Sequence, residues 1–424
     1  MAKWLYIPVE VKIRELHAKL LFAKMAASAG YNVVIGRKAE IMNAVRYLPP
    51  GIFLGMWVQI NFQNFYKKLK KRGFINIGMD EEGLVTFSEE MYSRFKMSSE
   101  TLQYIDYFMA WGEHQRDIVK KFTDEEKIHV VGNLRFDVLR PPMQGMLKNE
   151  KDALQQKYGR YVLIMSSFGL ANHCNGFDSY MLSLRKSKVI RDERDEMFLR
   201  RYADLQRFVC NDLKKSLVDI CKLFPDINFI VRPHPGESLT AWDELKDIPN
   251  VTITNDGNVH SWIIGSECVV HHFCTTAVES FAAGVPSVAY RPAKDEGLES
   301  MVPYAGSLEA VNTNELLVCL KDIIGGDKSA WNNKYGPAET YLKHHLENIS
   351  GAYCFQRMLS VIAQSSPPDV SGRTRLCAYV VRQNIMDILR AVKKTIFGSV
   401  SDYIDQKFGN LTTKEIDGIL SQIH

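Results

Sequence analysis

Asp80-Glu81-Glu82-Gly83 directly follows the apolar run Phe74-Ile75-Asn76-Ile77-Gly78-Met79, and Arg232-Pro233-His234-Pro235-Gly236-Glu237 directly follows Asn228-Phe229-Ile230-Val231. Each apolar run is short and bounded by turn formers, which reads as a buried strand. An open α/β sheet presents its ligand-binding loops at the C-terminal ends of its strands. One loop here clusters carboxylates, which suit proton removal from a hydroxyl. The other holds a histidine between two prolines beside an arginine, which suits an anionic phosphate.

Outward from these tracts the same alternation recurs. Residues 3–7, 31–35, 52–58, 74–78, 107–111 and 128–131 read as strands in the N-terminal part. A helical stripe of Leu16, Leu20, Ala23 and Ala27, stopped by Gly30, lies between the first two. The tract from Arg140-Pro141-Pro142 to Lys151 breaks the pattern and marks a domain boundary. A second series follows at 161–165, 228–231, 251–254, 268–271 and 287–290, with a charged surface excursion at about 184–201. After Pro337 helical segments dominate, and Pro367-Pro368 with Ser371-Gly372 marks a second hinge. The alternation predicts two doubly wound α/β domains facing a cleft, over residues 1–145 and 151–340, and a helical tail over 341–424.

Composition narrows the function. The chain has 424 residues, 46% hydrophobic and 24% charged, with a formal charge of +4. This is an ordinary globular balance with no global case for nucleic acid. The basic run Lys67-Lys68-Leu69-Lys70-Lys71-Arg72 reads as a solvated helix face, with a membrane or polyanion contact as the alternative. Eight cysteines without a Cys-x-x-Cys pair fit reduced thiols of a cytoplasmic protein. The N-terminus shows no signal-peptide pattern, and no apolar stretch approaches the roughly 20 residues that span a bilayer.

Repulsion among Asp80, Glu81 and Glu82 is expected to raise the pKa of at least one, as a base near neutrality requires. The alternative is a solvated acidic turn capping the next helix. His234, stiffened by Pro233 and Pro235, is expected to grip or protonate a phosphate, with Arg232 supplying permanent charge. A third element, Val269-Val270-His271-His272-Phe273-Cys274-Thr275-Thr276-Ala277-Val278-Glu279, passes from strand to small hydroxyl residues that open a helix. Such helix starts hold anions, and Glu279 lies one turn inside, within reach of ribose hydroxyls. Ser167 and Gly169, in the first turn of the second domain, are expected at the phosphate. Asn133 and Arg135 of Gly132-Asn133-Leu134-Arg135-Phe136-Asp137 are expected at the donor, and Glu10 and Arg14 in the acceptor region. His271 and His272 point to opposite faces of a strand, so no metal site is expected there. The absence of a Gly-x-Gly-x-x-Gly or Walker loop argues against a dehydrogenase or an ATPase.

Taken in order, these motifs resemble the GT-B class of glycosyltransferases, most closely bacterial surface-carbohydrate (capsule and O-antigen) biosynthesis proteins, over about residues 3–292. Glu81-Glu82-Gly83, His234-Pro235 and Thr275-Thr276 are similar to three motifs of CMP-sugar-using sialyltransferases. The chain has Thr-Thr where those enzymes have Ser-Ser, and an extra Asp80. The resemblance implies a two-domain GT-B fold and transfer of a nonulosonic-type acid sugar from CMP to a surface polysaccharide or lipid-linked glycan. Glu81 or Asp80 would take the acceptor proton, with Glu82 beside them, or, in a retaining enzyme of the kind some bacterial β-Kdo transferases are, one of these carboxylates would be the nucleophile. His234 would act on the CMP phosphate, with Arg232, Pro235, Thr275, Thr276, Glu279 and His272 around the nucleotide. It implies neither metal nor other cofactor, and a cytoplasmic protein, soluble or peripheral on the inner face of the membrane. A UDP-sugar transferase, a UDP-N-acetylglucosamine 2-epimerase, a CDP-glycerol glycerophosphotransferase and a non-catalytic scaffold are the alternatives. A C-terminal stripe including Leu376, Tyr379, Ile385, Leu389 and Val392, flanked by basic residues, reads as a helix that either packs on the domains or lies on a membrane.

Overall fold

Trp4 through Val9 are all buried along the first strand, β1 (Lys3–Val9), a near-continuous apolar run of the kind that parallel sheets require. The computed structural model describes residues 3–85, 88–187, 189–367, 378 and 411–423. The predicted C-terminal stripe therefore lies outside the described residues. Five more strands complete the first sheet: β2 (Tyr31–Arg37), β3 (Ile52–Leu54), β4 (Ile75–Gly78), β5 (Tyr107–Ala110) and β6 (Ile128–Val130). Their order is β2-β1-β3-β4-β5-β6, and every pairing is parallel. Three helices matter below: α1 (Lys12–Ser28), α2 (Lys38–Ala44) and α3 (Gln63–Lys71).

The second sheet contains β7 (Tyr161–Met165), β8 (Asn228–Arg232), β9 (Val251–Ile253), β10 (Cys268–His271), β11 (Ser287–Tyr290) and β12 (Leu308–Ala310). Its order is β12-β11-β10-β7-β8-β9, again all parallel. Val162, Ile164, Phe229, Val231, Val270 and Val288 form its core with Val209, Leu213, Leu217 and Ile220. Those last four lie on one 31-residue helix, Glu193–Leu223. The helix absorbs much of the stretch expected as a surface excursion. Asp195, in that stretch, is buried and pairs with Arg94 Nε at 2.5 Å. The edge strand β12 escaped the sequence reading because three residues carry too little period to register.

The chain divides into two compact units. One comprises Met1–Gly83, Lys96–Val138 and His344–His424, the other Leu84–Phe95 and Leu139–Lys343. Residues 84–95, expected with the N-terminal part, thus group with the second sheet, and the described residues from 344 onward, expected in a helical tail, group with the first. Within the first unit the helix Cys354–Ala363 packs on α1 and on the turn of helix Leu134–Asp137, and Thr413–Leu420 packs on α1. Lys12 bonds Glu415 at 2.7 Å there. The returning chain helps to bury every residue of α1 from Glu15 to Ala23, whereas Ala27, expected on the stripe, is exposed.

Candidate functional site

The first unit holds the acidic loop at the end of β4. Its three carboxylates have different surroundings. Asp80 is 1% and Glu81 2% exposed, whereas the Glu82 side chain is 49% exposed. Lys19 of α1, itself buried, bonds Glu81 Oε1 and Glu15 Oε2, both at 2.8 Å, and the Pro8 carbonyl at 2.9 Å. Arg135 donates to the Glu81 carbonyl at 2.8 Å. Burial alone would raise the Glu81 pKa, but the charges of Lys19, Arg135 and Arg14 outweigh it and hold the carboxyl below the usual range. The repulsion expected from sequence is thus overridden at Glu81 by cations that come from distant positions. Burial would likewise lower Lys19, yet Glu15 and Glu81 hold its ammonium above the ordinary lysine value.

Asp80 is turned to scaffolding: its Oδ1 accepts from Glu82 N at 3.0 Å, and its carbonyl accepts from Trp111 Nε1 at 2.6 Å. Glu82 reaches outward to two cations, Lys96 Nζ at 3.1 Å and Arg14 at 3.8 Å. Lys96 stands 4.7 Å from the Trp57 ring. Burial opposes its charge, but Glu82, Asp80 and Glu10 outweigh that and raise its pKa. Glu10, at the end of β1, accepts from Lys38 at 3.0 Å and from Trp57 Nε1 at 2.9 Å. The order β2-β1-β3 makes the β1/β3 edge the topological switch point of this sheet, where such folds bind ligands. A shallow pocket opens there, lined by Pro8, Lys38, Met42, Phe53, Trp57 and Phe65 among others.

Asn133 and Arg135, expected at the donor, are instead buried within this unit. Asn133 caps its helix turn through Arg135 N at 3.0 Å, and its own N–H donates to Asn348 Oδ1 at 2.9 Å. Asn348 Nδ2 returns bonds to the Asn133 carbonyl at 2.9 Å and Asp137 Oδ1 at 2.7 Å. Asp137 also accepts from Cys354 N and Phe355 N, at 2.8 and 2.9 Å, and so caps the helix Cys354–Ala363. Gly132, at φ 90°, lets Asn348 approach, since a Cβ would fall 2.0 Å from Asn348 Oδ1. The Gly-Asn-x-Arg-x-Asp tract therefore docks the returning chain and braces Glu81. Asn348 gave no sequence signal. Lys19 lies off the predicted stripe, in a stretch of α1 that buries Glu15 and His17 as well.

In the second unit three strand-end loops are tied together, two of them through Glu237. This buried carboxylate accepts from Ser166 Oγ at 2.5 Å, Phe168 N at 2.9 Å, His234 N at 3.2 Å and Trp242 Nε1 at 3.3 Å. Burial raises its pKa, and the four donors oppose that rise. Glu237 thereby ties the loop after β7 to the His-Pro loop after β8. Ser167 Oγ donates to the His272 carbonyl, which ties in the loop after β10. His234 itself is exposed. Its Nδ1 accepts from Gly236 N at 3.1 Å, so the neutral ring carries its proton on Nε2. Gly169 packs against it: a Cβ there would stand 2.9 Å from His234 Nδ1.

Arg232 departs from expectation. It is 2% exposed and donates to the carbonyls of Asp256, Asn255 and Gly257 at 2.6, 3.3 and 3.2 Å. Its charge closes a backbone turn, a task its planar fork of donors suits, and burial lowers its pKa to about 10. The loop after β10 contains Phe273, a non-glycine residue at φ 41°. Backbone held in this region marks a loop over-determined by its surroundings. Thr275 is half-buried and Thr276 buried, with Cys274 Sγ 3.2 Å from Thr276 Oγ1. The helix that follows, Thr276–Ala282, is only seven residues long. Glu279 is buried, with Oε1 3.9 Å from His260 Nε2. His271 and His272 face opposite ways, to Ser307 Oγ at 2.9 Å and the Tyr290 carbonyl at 3.1 Å. Burial pushes them down to about 3 and about 4, so both are neutral. Pro235, beside His234, is half-buried.

No family model matches the chain, and no curated protein matches its sequence. Solved structures do match. UDP-GlcNAc 2-epimerase from Neisseria meningitidis, bound to UDP-GlcNAc, aligns at a TM-score of 0.53 and 13% identity over 86% of this chain and 100% of that one. The Methanocaldococcus jannaschii UDP-GlcNAc 2-epimerase, in complex with UDP-GlcNAc and UDP, gives 0.54 and 13% over 86% and 100%. The wall teichoic acid polymerase TagF gives 0.55 and 12% over 85% and 88%. The fold is GT-B-like. Its two six-stranded parallel sheets with flanking helices are the two α/β domains of that architecture.

Proposed function

We propose that this GT-B-like chain is a glycosyltransferase that moves a nonulosonic-type acid sugar from CMP to a surface polysaccharide or lipid-linked glycan. The observation that carries the reading is His234. It stands exposed at a strand end, with Nδ1 engaged by Gly236 N and the proton on Nε2, ready to donate to a phosphate oxygen. The motif order supports the CMP donor, through the Glu-Glu-Gly, His-Pro and Thr-Thr resemblance. In the reaction the acceptor oxygen bonds to the anomeric carbon as the bond from that carbon to the phosphate oxygen breaks. The hydroxyl proton passes to a carboxylate, and an oxygen of the departing CMP phosphate accepts a hydrogen bond from His234 Nε2. Thr275, the more accessible of the threonine pair, is assigned to the same phosphate.

Glu82 is the carboxylate assigned to the proton. Among the three of its loop it is the one that reaches solvent, while Glu81 is buried and held ionised by Lys19. Glu82→Gln is expected to retain nucleotide binding and lose turnover by at least about a hundredfold, the usual scale of general-base catalysis. Wild-type turnover in Glu82→Gln would return the role to Asp80 or Glu81.

A second reading, glycerophosphate transfer from CDP-glycerol, draws support from TagF, whose structures include soaks with CDPG. A thermal-shift panel of CMP, CDP, CDP-glycerol and UDP tests both, because a ligand that binds only the folded state raises its apparent stability. Selective stabilisation by CMP is expected, preference for CDP-glycerol would move the assignment to the second reading, and preference for UDP would sink both. Transfer is expected to proceed undiminished in excess EDTA, since no Asp-x-Asp tract stands to hold a diphosphate-bound cation. Loss of transfer that manganese or magnesium restores would overturn that expectation.

A further inference from the structure

The basic run of α3 is not among the candidate site residues of either unit. Tyr66 and Leu69 bury one side of this helix. Asn64, Lys67, Lys68 and Lys71 are exposed on the other, and Ile60, one turn before Asn64, continues that stripe at 52% exposure. Arg72 anchors the helix end to the preceding loop through the carbonyls of Val45 and Leu48. That anchor brings the segment carrying exposed Arg46 and Tyr47, the latter 49% exposed, to the C-terminal end of α3. Lys70 is neutralised by Asp106. Among the described residues, Lys67, Lys68, Lys71 and Arg46 have no carboxylate in ion-pair range.

We infer that this face of the first unit docks on an anionic lipid surface. Unneutralised lysines are diffuse point charges suited to the potential of an acidic membrane, where each contributes on the order of 1 kcal/mol. Arginine forks, which match single phosphates bidentately, are the minor part of this charge: Arg72 is engaged with backbone carbonyls, which leaves Arg46 against three exposed lysines. Ile60 and Tyr47 flank the charge, one apolar and one amphipathic, as residues at a membrane interface do. The helix does not insert, because its apolar side is occupied by the protein's own core. No helix among the described residues is long and apolar enough to cross a membrane. The inference extends the acceptor half of the proposed function, and its test uses no nucleotide, so either can fail alone.

The test is co-sedimentation of the full chain with phosphatidylglycerol-containing vesicles and with pure phosphatidylcholine vesicles. Binding to the first but not the second is expected, weakening as salt rises. The triple variant Lys67→Glu/Lys68→Glu/Lys71→Glu should lower the partition coefficient by roughly a hundredfold or more. A control of equal charge change on the other unit, Lys215→Glu/Lys321→Glu/Lys328→Glu, all exposed, should bind as wild type. Ile60→Ser should weaken binding without changing its salt dependence. The inference is overturned by failure of the wild type to bind acidic vesicles, by undiminished binding of the triple variant, or by equal loss in the control. Retention on a soluble polyanion such as heparin without vesicle binding overturns it as well.

Discussion

His234→Ala is expected to abolish transfer and to weaken CMP binding by tenfold or more, while the thermal midpoint of the unliganded protein stays near that of wild type. Loss of a charge-assisted phosphate contact is worth about 1.5–3 kcal/mol, which sets the affinity change. The fold should tolerate the change because the ring is exposed and the loop is held by Glu237 through the backbone of His234, which alanine retains. His234→Asn, which offers a donor without titrating, should recover part of the affinity but not the turnover. Unchanged CMP affinity in His234→Ala would remove the observation on which the functional reading stands.

Lys19→Met is expected to destabilise the first unit strongly. Lys19 stands between two buried carboxylates, Glu15 and Glu81, at 2.8 Å from each. Removing one member of a buried ionic cluster typically costs about 3–5 kcal/mol, because the charge left behind is uncompensated. For a unit of this size that corresponds to a fall of roughly 10 °C in midpoint. Adding Glu15→Gln and Glu81→Gln should restore much of the loss, since replacing a whole buried cluster with neutral groups is often nearly neutral. The pH dependence follows from the shifts. Glu81 is held below its ordinary value of 4.5, so its contribution is present above that pH and is lost as pH falls through the folded value. Lys19 is held above 10.5, so its contribution is present below that pH and is lost as pH rises through its folded value. The gap between wild type and Lys19→Met should therefore be widest near neutrality and close below about pH 4.5. A variant that melts with the wild type at pH 7 would show that the cluster does not stabilise the fold.

Much of the architecture was legible because strand signals are local. The apolar runs at β1, β4, β7, β8 and β10 are short, dense and bounded by Gly, Pro or acidic residues, and each became a strand within a residue or two. β3 was overread to residue 58 and ends at Leu54, where Gly55 N turns to the Ile77 carbonyl at 2.8 Å. The positions of the acidic, His-Pro and Thr-Thr loops at strand ends followed from the same signals. The roles of individual polar groups did not. Arg232 reads as a ligand contact because arginine matches phosphate, and Arg135 because its tract follows a strand end, yet both are turned inward to backbone carbonyls.

The sequence by itself determined two parallel α/β halves, the strand ends that carry polar loops, and the candidate histidine. These depend on periodicity and turn chemistry within about ten residues of chain. Only the tertiary structure decided which carboxylate is accessible, which arginines are structural, and where the chain beyond residue 344 belongs. Asp137 caps a helix that begins more than two hundred residues later, through Phe355 N at 2.9 Å. Glu81 is held ionised by a lysine from α1. A polar residue's type shows that burial obliges it to find a partner, but the partner is chosen by what the folded chain brings within about 3 Å. That choice is made across the molecule, and no local pattern contains it.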